Sequence, residues 1–213
     1  MIKFERTAVL NMNNAIRGAR NPMNSWDRSD SYFLPDGTFC LGPNDLGLAQ
    51  RLIKSGSDHR KFIRQIFVSV DITAPLYWWK EYDTYKVATT ANSTSTMHKI
   101  HSKPITLDDF STDHLDEEGL KAFKEFVDMI EAKRLKYMEL RDQDFTTAKA
   151  QWYNIIQMLP ESYNQMRTCT LDYETLRNIA HSRKGHKLDE WSKGFIQWMH
   201  TLPYAEDLIF YEN

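Results

Sequence analysis

Residues 72–99, ITAPLYWWKEYDTYKVATTANSTSTMHK, restrict the fold more than any other part of the chain. The residues before them, 62–73, alternate as a strand does: Ile66, Val68 and Val70 on one face, Phe67, Ser69 and Asp71 on the other. The run ends at Pro75, which suits the first turn of a helix because an N–H there has no partner to lose. Leu76, Trp79, Tyr82 and Tyr85 then recur at helical spacing and read as an aromatic core stripe. A strand feeding directly into an aromatic helix is therefore expected. Thr89, Thr90, Asn92, Ser93, Thr94, Ser95 and Thr96 follow almost without large aliphatic side chains. Such a tract reads either as a polar surface loop or as a site that hydrogen-bonds a polar ligand.

Around this centre the pattern is mostly helical. Residues 2–10 can form a strand, and a short helix follows over 11–20 with Asn11 as its cap. Residues 21–43, rich in Asn, Pro, Ser, Asp and Gly, form a loop long enough to suggest function or mobility. Asn44 is the expected cap of a helix over 45–54, which Ser55-Gly56 ends. The longest helix spans 117–141, with Leu120, Phe123, Val127, Ile130, Leu135 and Met138 as its apolar face. A helix over 144–159 stops at Pro160, and residues 163–170 can form another strand. Asp172 caps a helix to about residue 182, and a last helix runs over 188–200 with Trp191, Phe195 and Trp198 on related faces. The expected fold is α+β: one helix-rich domain over residues 1–213 with a small, mostly antiparallel sheet.

Composition narrows the class. Hydrophobic residues make up 41% and charged residues 26%, which supports a soluble domain with a sizeable core. A net charge of −2 gives no footprint for a nucleic-acid polymer. No run approaches the length of a membrane helix, and the N-terminus lacks a signal-peptide core. The two cysteines, Cys40 and Cys169, form neither a close metal pair nor a disulfide framework, so a reducing cytoplasm is the expected setting.

The titratable residues spell no familiar catalytic motif. His98 and His101 could ligate a metal only with partners brought by the fold, and no metal site is expected. Gly-rich phosphate loops and nucleophile elbows are absent. Cys169 reads as a structural thiol before a nucleophile. Arg167, in a strand, and Arg183, Lys184, His186 and Lys187, in a turn between helices, are more suggestive. A guanidinium fork matches two phosphate oxygens, and the next helix's first amides favour an anion. A solvated basic turn is the plain alternative.

Taken in order, these pieces resemble the flavin-dependent thymidylate synthases over most of the chain. That family has a strand ending in a phrase like Lys-Ala-Pro-Ile-Phe; Thr73-Ala74-Pro75-Leu76-Tyr77 matches it. Thr84 to Thr89 occupy the position of its Arg-His-Arg-x-x-Ser, and Asn92 and Ser95 coincide with residues of the motif that follows. His59, in Gly56-Ser57-Asp58-His59, lies on the histidine of its Gly-His element. Leu159-Pro160 with Tyr163 resembles its Leu-Pro-x-x-x-Tyr step, and Arg167 lies near a nucleotide-handling arginine. Leu176-Arg177-Asn178, Ser182-Arg183 and His186 to Trp191 resemble its closing phrase, with Arg183 the best single match. The departures fall in the site: Thr84 and Lys86 replace two arginines, Ser93 a glutamate, Arg64-Gln65 a Glu-His pair, and Glu81 a glutamine. Lys86 supplies a point charge without the bidentate fork; Arg64 and His98 are candidate substitutes.

The resemblance implies a homotetramer binding FAD and a pyrimidine deoxynucleotide, with methylenetetrahydrofolate and NADPH as co-substrates and methylation at C5 of a dUMP-type substrate. It implies flavin-borne chemistry with no protein nucleophile. It places Arg183 and Arg167 on nucleotide phosphate or base, Ser95 on phosphate, and His59, Lys86, Thr89 and Asn92 along the flavin. Other readings stay open: the same fold acting on another pyrimidine nucleotide such as dCMP, a non-catalytic nucleotide- or partner-binding descendant without flavin, and an unrelated α+β binding module.

Overall fold

The computed structural model describes residues 2–212. Its longer elements run β1 (Lys3–Leu10), α1 (Met12–Ala19), β2 (Tyr32–Phe33), β3 (Phe39–Cys40), α2 (Pro43–Lys54), β4 (Phe67–Pro75), α3 (Leu76–Tyr82) and β5 (Thr90–Ser93). They continue with α4 (Thr96–Lys99), α5 (Glu117–Leu140), α6 (Phe145–Met158), β6 (Asn164–Asp172), α7 (Tyr173–Arg183), α8 (Ile196–His200) and α9 (Ala205–Leu208). The architecture is α+β and helix-rich with a small antiparallel sheet, as the periodicity predicts. Strand order in the main sheet is β1-β4-β6-β5. The chain divides into two compact units. One holds Ile72–Thr84 and Asn92–Arg167 with the start of β1; the other holds Phe4–Asp71, Tyr85–Ala91 and the chain from Thr168 onward.

In the first unit, α5 and α6 form an antiparallel pair over a core of Ile100, Ile105, Phe110, Val127, Ile130 and Ile155. The buried seam of α5 is Val127, Ile130 and Arg134, with Tyr137 packed beside it. Leu120 and Leu135, expected on the apolar face, are exposed; Leu135 is one residue, about 100° of helix turn, away from the buried Arg134. Arg134 takes the core position by pairing with Glu131 and donating to the His101 carbonyl at 3.2 Å. The aromatic helix α3 does follow its strand without a loop. Trp78, Trp79 and Tyr82 are buried, and the rings of Trp78 and Tyr82 stack at 5.2 Å. The helix stops at Tyr82, so Tyr85 is not part of that stripe.

The second unit begins its strand later than the alternation suggests: residues 61–65 form a 3-10 turn, and β4 starts at Phe67. Phe62 and Ile63 are adjacent and both buried, which an alternating strand with one wet face does not allow. Ile66, Val68 and Val70 are buried as expected. Asp71 is buried rather than outward-facing, and receives Arg6 Nε at 2.6 Å and Thr168 Oγ1 at 2.5 Å. β6 begins at Asn164 and runs on to Asp172, which caps α7 through the Thr175 amide at 2.7 Å.

Residues 21–43 are organised rather than loose. They carry two 3-10 turns and the β2–β3 hairpin, whose turn includes Gly37 at φ +86°, a conformation that favours glycine. Asp45 gathers the segment: its carboxylate accepts from Arg20 Nε, Ser29 Oγ (2.7 Å), Ser31 Oγ (2.6 Å) and the Ser31 amide (3.1 Å). Asn44 does not cap α2. Gly42 and Pro43 open that helix, and Asp30 caps it from a distance through the amides of Asn44 (2.8 Å) and Asp45 (3.1 Å). Asn11 likewise makes no cap bond; its backbone is left-handed and its amide donates to the Gln65 carbonyl at 2.9 Å. The expected last helix is a π-turn over Glu190–Phe195 continuing into α8. Trp191, Phe195 and Trp198 are all buried there, and Phe4 stacks on Trp198 at 4.9 Å.

Candidate functional site

Arg167, Asn92 and Ser95 belong to the first unit. Gln165 and Arg167 are two apart on β6 and so share a face of the strand. The Arg167 guanidinium lies over the Trp79 ring at 4.2 Å, donates to Asp83 at 2.8 Å, and donates through Nε to Gln165 Oε1 at 3.1 Å. Gln165 in turn donates to the Thr94 carbonyl at 2.7 Å, and Trp79 Nε1 donates to the Gln165 carbonyl at 2.9 Å. The side chain of Arg167 is only 16% exposed, so its fork is pre-set by a ring, a carboxylate and an amide.

The hydroxylic tract resolves into the edge strand β5 and the cap of α4, which β-propensity alone only hints at for Thr and Ser. Thr94 donates its amide to the Met166 carbonyl at 2.9 Å. Ser95 Oγ accepts the His98 amide at 3.0 Å. Asn92 is exposed on β5. Ser95 also lines a cleft of about 380 Å³ with Lys99, Lys103 and Asn164, where Lys103 is tied to Asp109. Burial and the nearby Asp109 carboxylate push the Tyr163 phenol in that cleft upward, so it stays a neutral donor at physiological pH.

Arg183, Lys86, Thr89 and His59 belong to the second unit. Arg183 closes α7, where a cation complements the helix dipole. Its Nε donates to the Tyr85 hydroxyl at 2.8 Å, and its guanidinium lies 4.6 Å from the Trp191 ring centre. His186 Nε2 is 3.0 Å from Arg183 Nη1, while the Leu188 amide faces His186 Nδ1 at 3.2 Å. A neutral imidazole accepts at one nitrogen, so only one of these contacts is a hydrogen bond at a time. The loop over residues 85–89 is anchored on α7, where Thr175 Oγ1 donates to the Val87 carbonyl at 3.3 Å. Thr89 Oγ1 donates to the Tyr85 carbonyl, Ala88 sits at φ +54°, and Lys86 is exposed. Lys86, Thr89 and Arg183 thus share one loop–helix junction. His59 is exposed in a different place, on a cleft of about 890 Å³ lined also by Asn14, Arg17, Lys61, Gln65 and Phe67. Arg64, a candidate substitute for a missing arginine, donates to the Ser57 carbonyl at 3.1 Å.

The sequence singles out both arginines but does not indicate what holds them. Tyr85 reads as core by its spacing, yet it receives Arg183. Asp83 and Trp79 carry no local signal for Arg167, because both are more than 80 residues from it in the chain; Gln165, two residues away, shares its strand face. Among the described residues, no group of three or more His, Cys, Asp or Glu side chains is placed to hold a metal, and no helix is long and apolar enough to cross a membrane.

No family model and no curated protein matches the chain. Solved structures do, over almost its whole length. The flavin-dependent thymidylate synthase ThyX of Helicobacter pylori, complexed with FAD and dUMP, superposes with a TM-score of 0.68 at 17% identity, covering 98% of this chain and 97% of that one. A second structure of the H. pylori enzyme with FAD and dUMP gives 0.66 at 16% identity over 98% and 97% of the two chains. The UMP/dUMP methylase PolB of Streptomyces cacaoi, bound with 5-Br dUMP, gives 0.65 at 12% identity over 99% of this chain and 94% of that one. The chain therefore has the fold of the flavin-dependent thymidylate synthases, end to end.

Proposed function

We propose that the protein is a flavin-dependent methylase of pyrimidine nucleotides, replacing the C5 hydrogen of a dUMP-type substrate with a methyl group. The observation that carries this reading is the full-length fold shared with enzymes solved with FAD and dUMP and with a UMP/dUMP methylase. Two arginines, one in each unit, support it: Arg183 lies against the Trp191 ring and Arg167 over the Trp79 ring, and a guanidinium held in one orientation suits a phosphate or a pyrimidine edge.

The residues present fit FAD by the chemistry of their donors. Exposed Lys86 supplies a charge for a pyrophosphate, Thr89 and Asn92 supply hydroxyl and amide groups, and His59 stands beside Arg17 and Lys61. When bound, FAD supplies the hydride that turns a donated methylene unit into methyl; methylenetetrahydrofolate is the proposed carbon donor and NADPH the reductant. The protein's own part is to bind, orient and exclude water. Arg183 and Arg167 each contact the nucleotide, Ser95 offers its hydroxyl to the phosphate, and the rings of Trp191 and Trp79, with Tyr85 on Arg183 and Asp83 and Gln165 on Arg167, hold each guanidinium in one orientation. A homotetramer is the proposed assembly.

The likeness to PolB extends the substrate question to the ribonucleotide, and the altered Thr84–Lys86 segment extends it to dCMP. The test is incubation of the protein with FAD, NADPH and methylenetetrahydrofolate, and with dUMP, UMP or dCMP in separate reactions, followed by mass analysis of the nucleotide. A product heavier by one methylene unit from any of the three supports methylation and names the substrate. Flavin uptake with no methylated product from all three counts against the proposal.

A further inference from the structure

A separate cavity, of about 470 Å³, lies wholly in the first unit between the end of α5, α6, and α4 with the turn that follows it. The function proposed above makes no use of it. Three rings line it: Tyr137, Phe145 and Trp152. Phe145 is 75% exposed, although it opens α6 and a short polar residue would serve that surface position as well. Trp152 is held in place by its indole N–H, which donates to the Met97 carbonyl at 3.2 Å. Two cations, Arg141 and Lys149, stand in the same wall against one carboxylate, Asp142, which pairs with Arg141 at 3.2 Å on the exposed rim. His101 completes the wall with its ring tilted on Tyr137, and its Nδ1 is buried with no hydrogen-bond partner. Burial and the neighbouring Arg141, Lys99 and Arg134 charges hold this imidazole below its usual pKa, so it adds a neutral planar surface at physiological pH.

Aromatic rings and two cations lining one cavity are the surroundings a flat, negatively charged molecule needs: rings cover its faces, and cations meet its carboxylate or phosphate. The volume is that of an ordinary small-molecule site. We propose that this cavity binds a planar aromatic ring bearing a carboxylate or phosphate, by stacking against Trp152 and Tyr137 and by ion pairing with Arg141 and Lys149. Two sources share that chemistry, a nucleotide and an aromatic amino acid conjugate.

The test reads Trp152 itself, so it stands apart from catalysis and from nucleotide binding at Arg183. The full chain is labelled with 5-fluorotryptophan, the Trp152 fluorine resonance is assigned with Trp152→Phe, and UMP and p-aminobenzoyl-glutamate are titrated separately, with neutral uridine as control. A saturable shift of the Trp152 resonance with either anion, weakened about tenfold or more in Arg141→Gln/Lys149→Gln, is the expected result, about 1.4 kcal/mol per tenfold; which anion acts identifies the source. Both substituted side chains are exposed, so the double variant keeps its fold, checked by the other five Trp resonances. No saturable Trp152 shift with either anion, an equal shift with uridine, or an unchanged affinity in the double variant overturns the proposal.

Discussion

Substituting Asp45 by Asn probes the polar knot that orders residues 21–43. The carboxylate is fully buried and takes hydrogen bonds from Arg20, Ser29 and Ser31, four in all, every one from a donor. An amide in its place turns an NH2 group toward those donors and leaves the guanidinium of Arg20, itself 5% exposed, without a counter-charge. Breaking a buried pair from one side costs about 3–5 kcal/mol. For a chain of this size each kcal/mol lowers the melting temperature by about 2–4 °C, so a fall of about 6–20 °C is expected. Although burial pushes the Asp45 pKa up, the hydroxyls of Ser31 and Ser29 and the Arg20 guanidinium outweigh it and hold the folded value below the ordinary one. A depressed carboxylate stabilises the fold above its unfolded pKa, about 3.9, and loses that contribution as pH falls through the folded value. The gap between wild type and Asp45→Asn in urea denaturation is therefore wide at neutral pH and narrows below about pH 4. Removing both partners, in Asp45→Asn/Arg20→Met, recovers part of the loss. A single-variant loss under about 1 kcal/mol, or a double variant no better than the single, would mean that the Arg20–Asp45 pair does not hold residues 21–43 in place.

Arg183→Ala should weaken dUMP binding by about 10–150-fold, the worth of one charge-assisted contact of roughly 1.5–3 kcal/mol, with Arg183→Lys recovering only part because the fork is lost. Calorimetric titration of the folded variants checks it, and unchanged affinity in Arg183→Ala would remove that residue from the site. Ile130→Ala, at a position with no solvent exposure in the α5–α6 core, should cost about 2–5 kcal/mol in urea denaturation. A loss below about 1 kcal/mol would mean that α5 and α6 do not pack through this residue.

What the sequence could and could not foretell follows from the range of the interactions involved. The strand into Pro75 and the helix behind it are local, and the alternation of Ile66, Val68 and Val70 and the spacing of Trp79 and Tyr82 place them correctly. Capping by Asp172 is equally local, three residues from its partner amide. Capping of α2 is not: Asp30 reaches amides 14 and 15 residues away, so Asn44 was the better local candidate and the wrong one. The order in residues 21–43 has the same cause, since Arg20 and Asp45 are 25 residues apart. At the candidate site, Arg167 is legible as a cation in a strand and Arg183 as one in a turn between helices, although α7 extends to include Arg183. Their braces, Asp83, Trp79, Tyr85 and Trp191, are not legible, because nothing in a sequence says which ring a guanidinium will lie on. The Thr89 to Thr96 tract shows how composition leaves roles open, since the same residues serve an edge strand and a cap as readily as a ligand.

Thr84 and Lys86 stand where the resembled family has two arginines, so whether the protein holds flavin is the point on which the proposed function turns. The most direct measurement is the visible absorption spectrum of the purified protein, taken before and after incubation with FAD and removal of the excess. A bound-flavin spectrum at a near-equimolar ratio to the chain is expected. A folded protein that is colourless and takes up no FAD would contradict it.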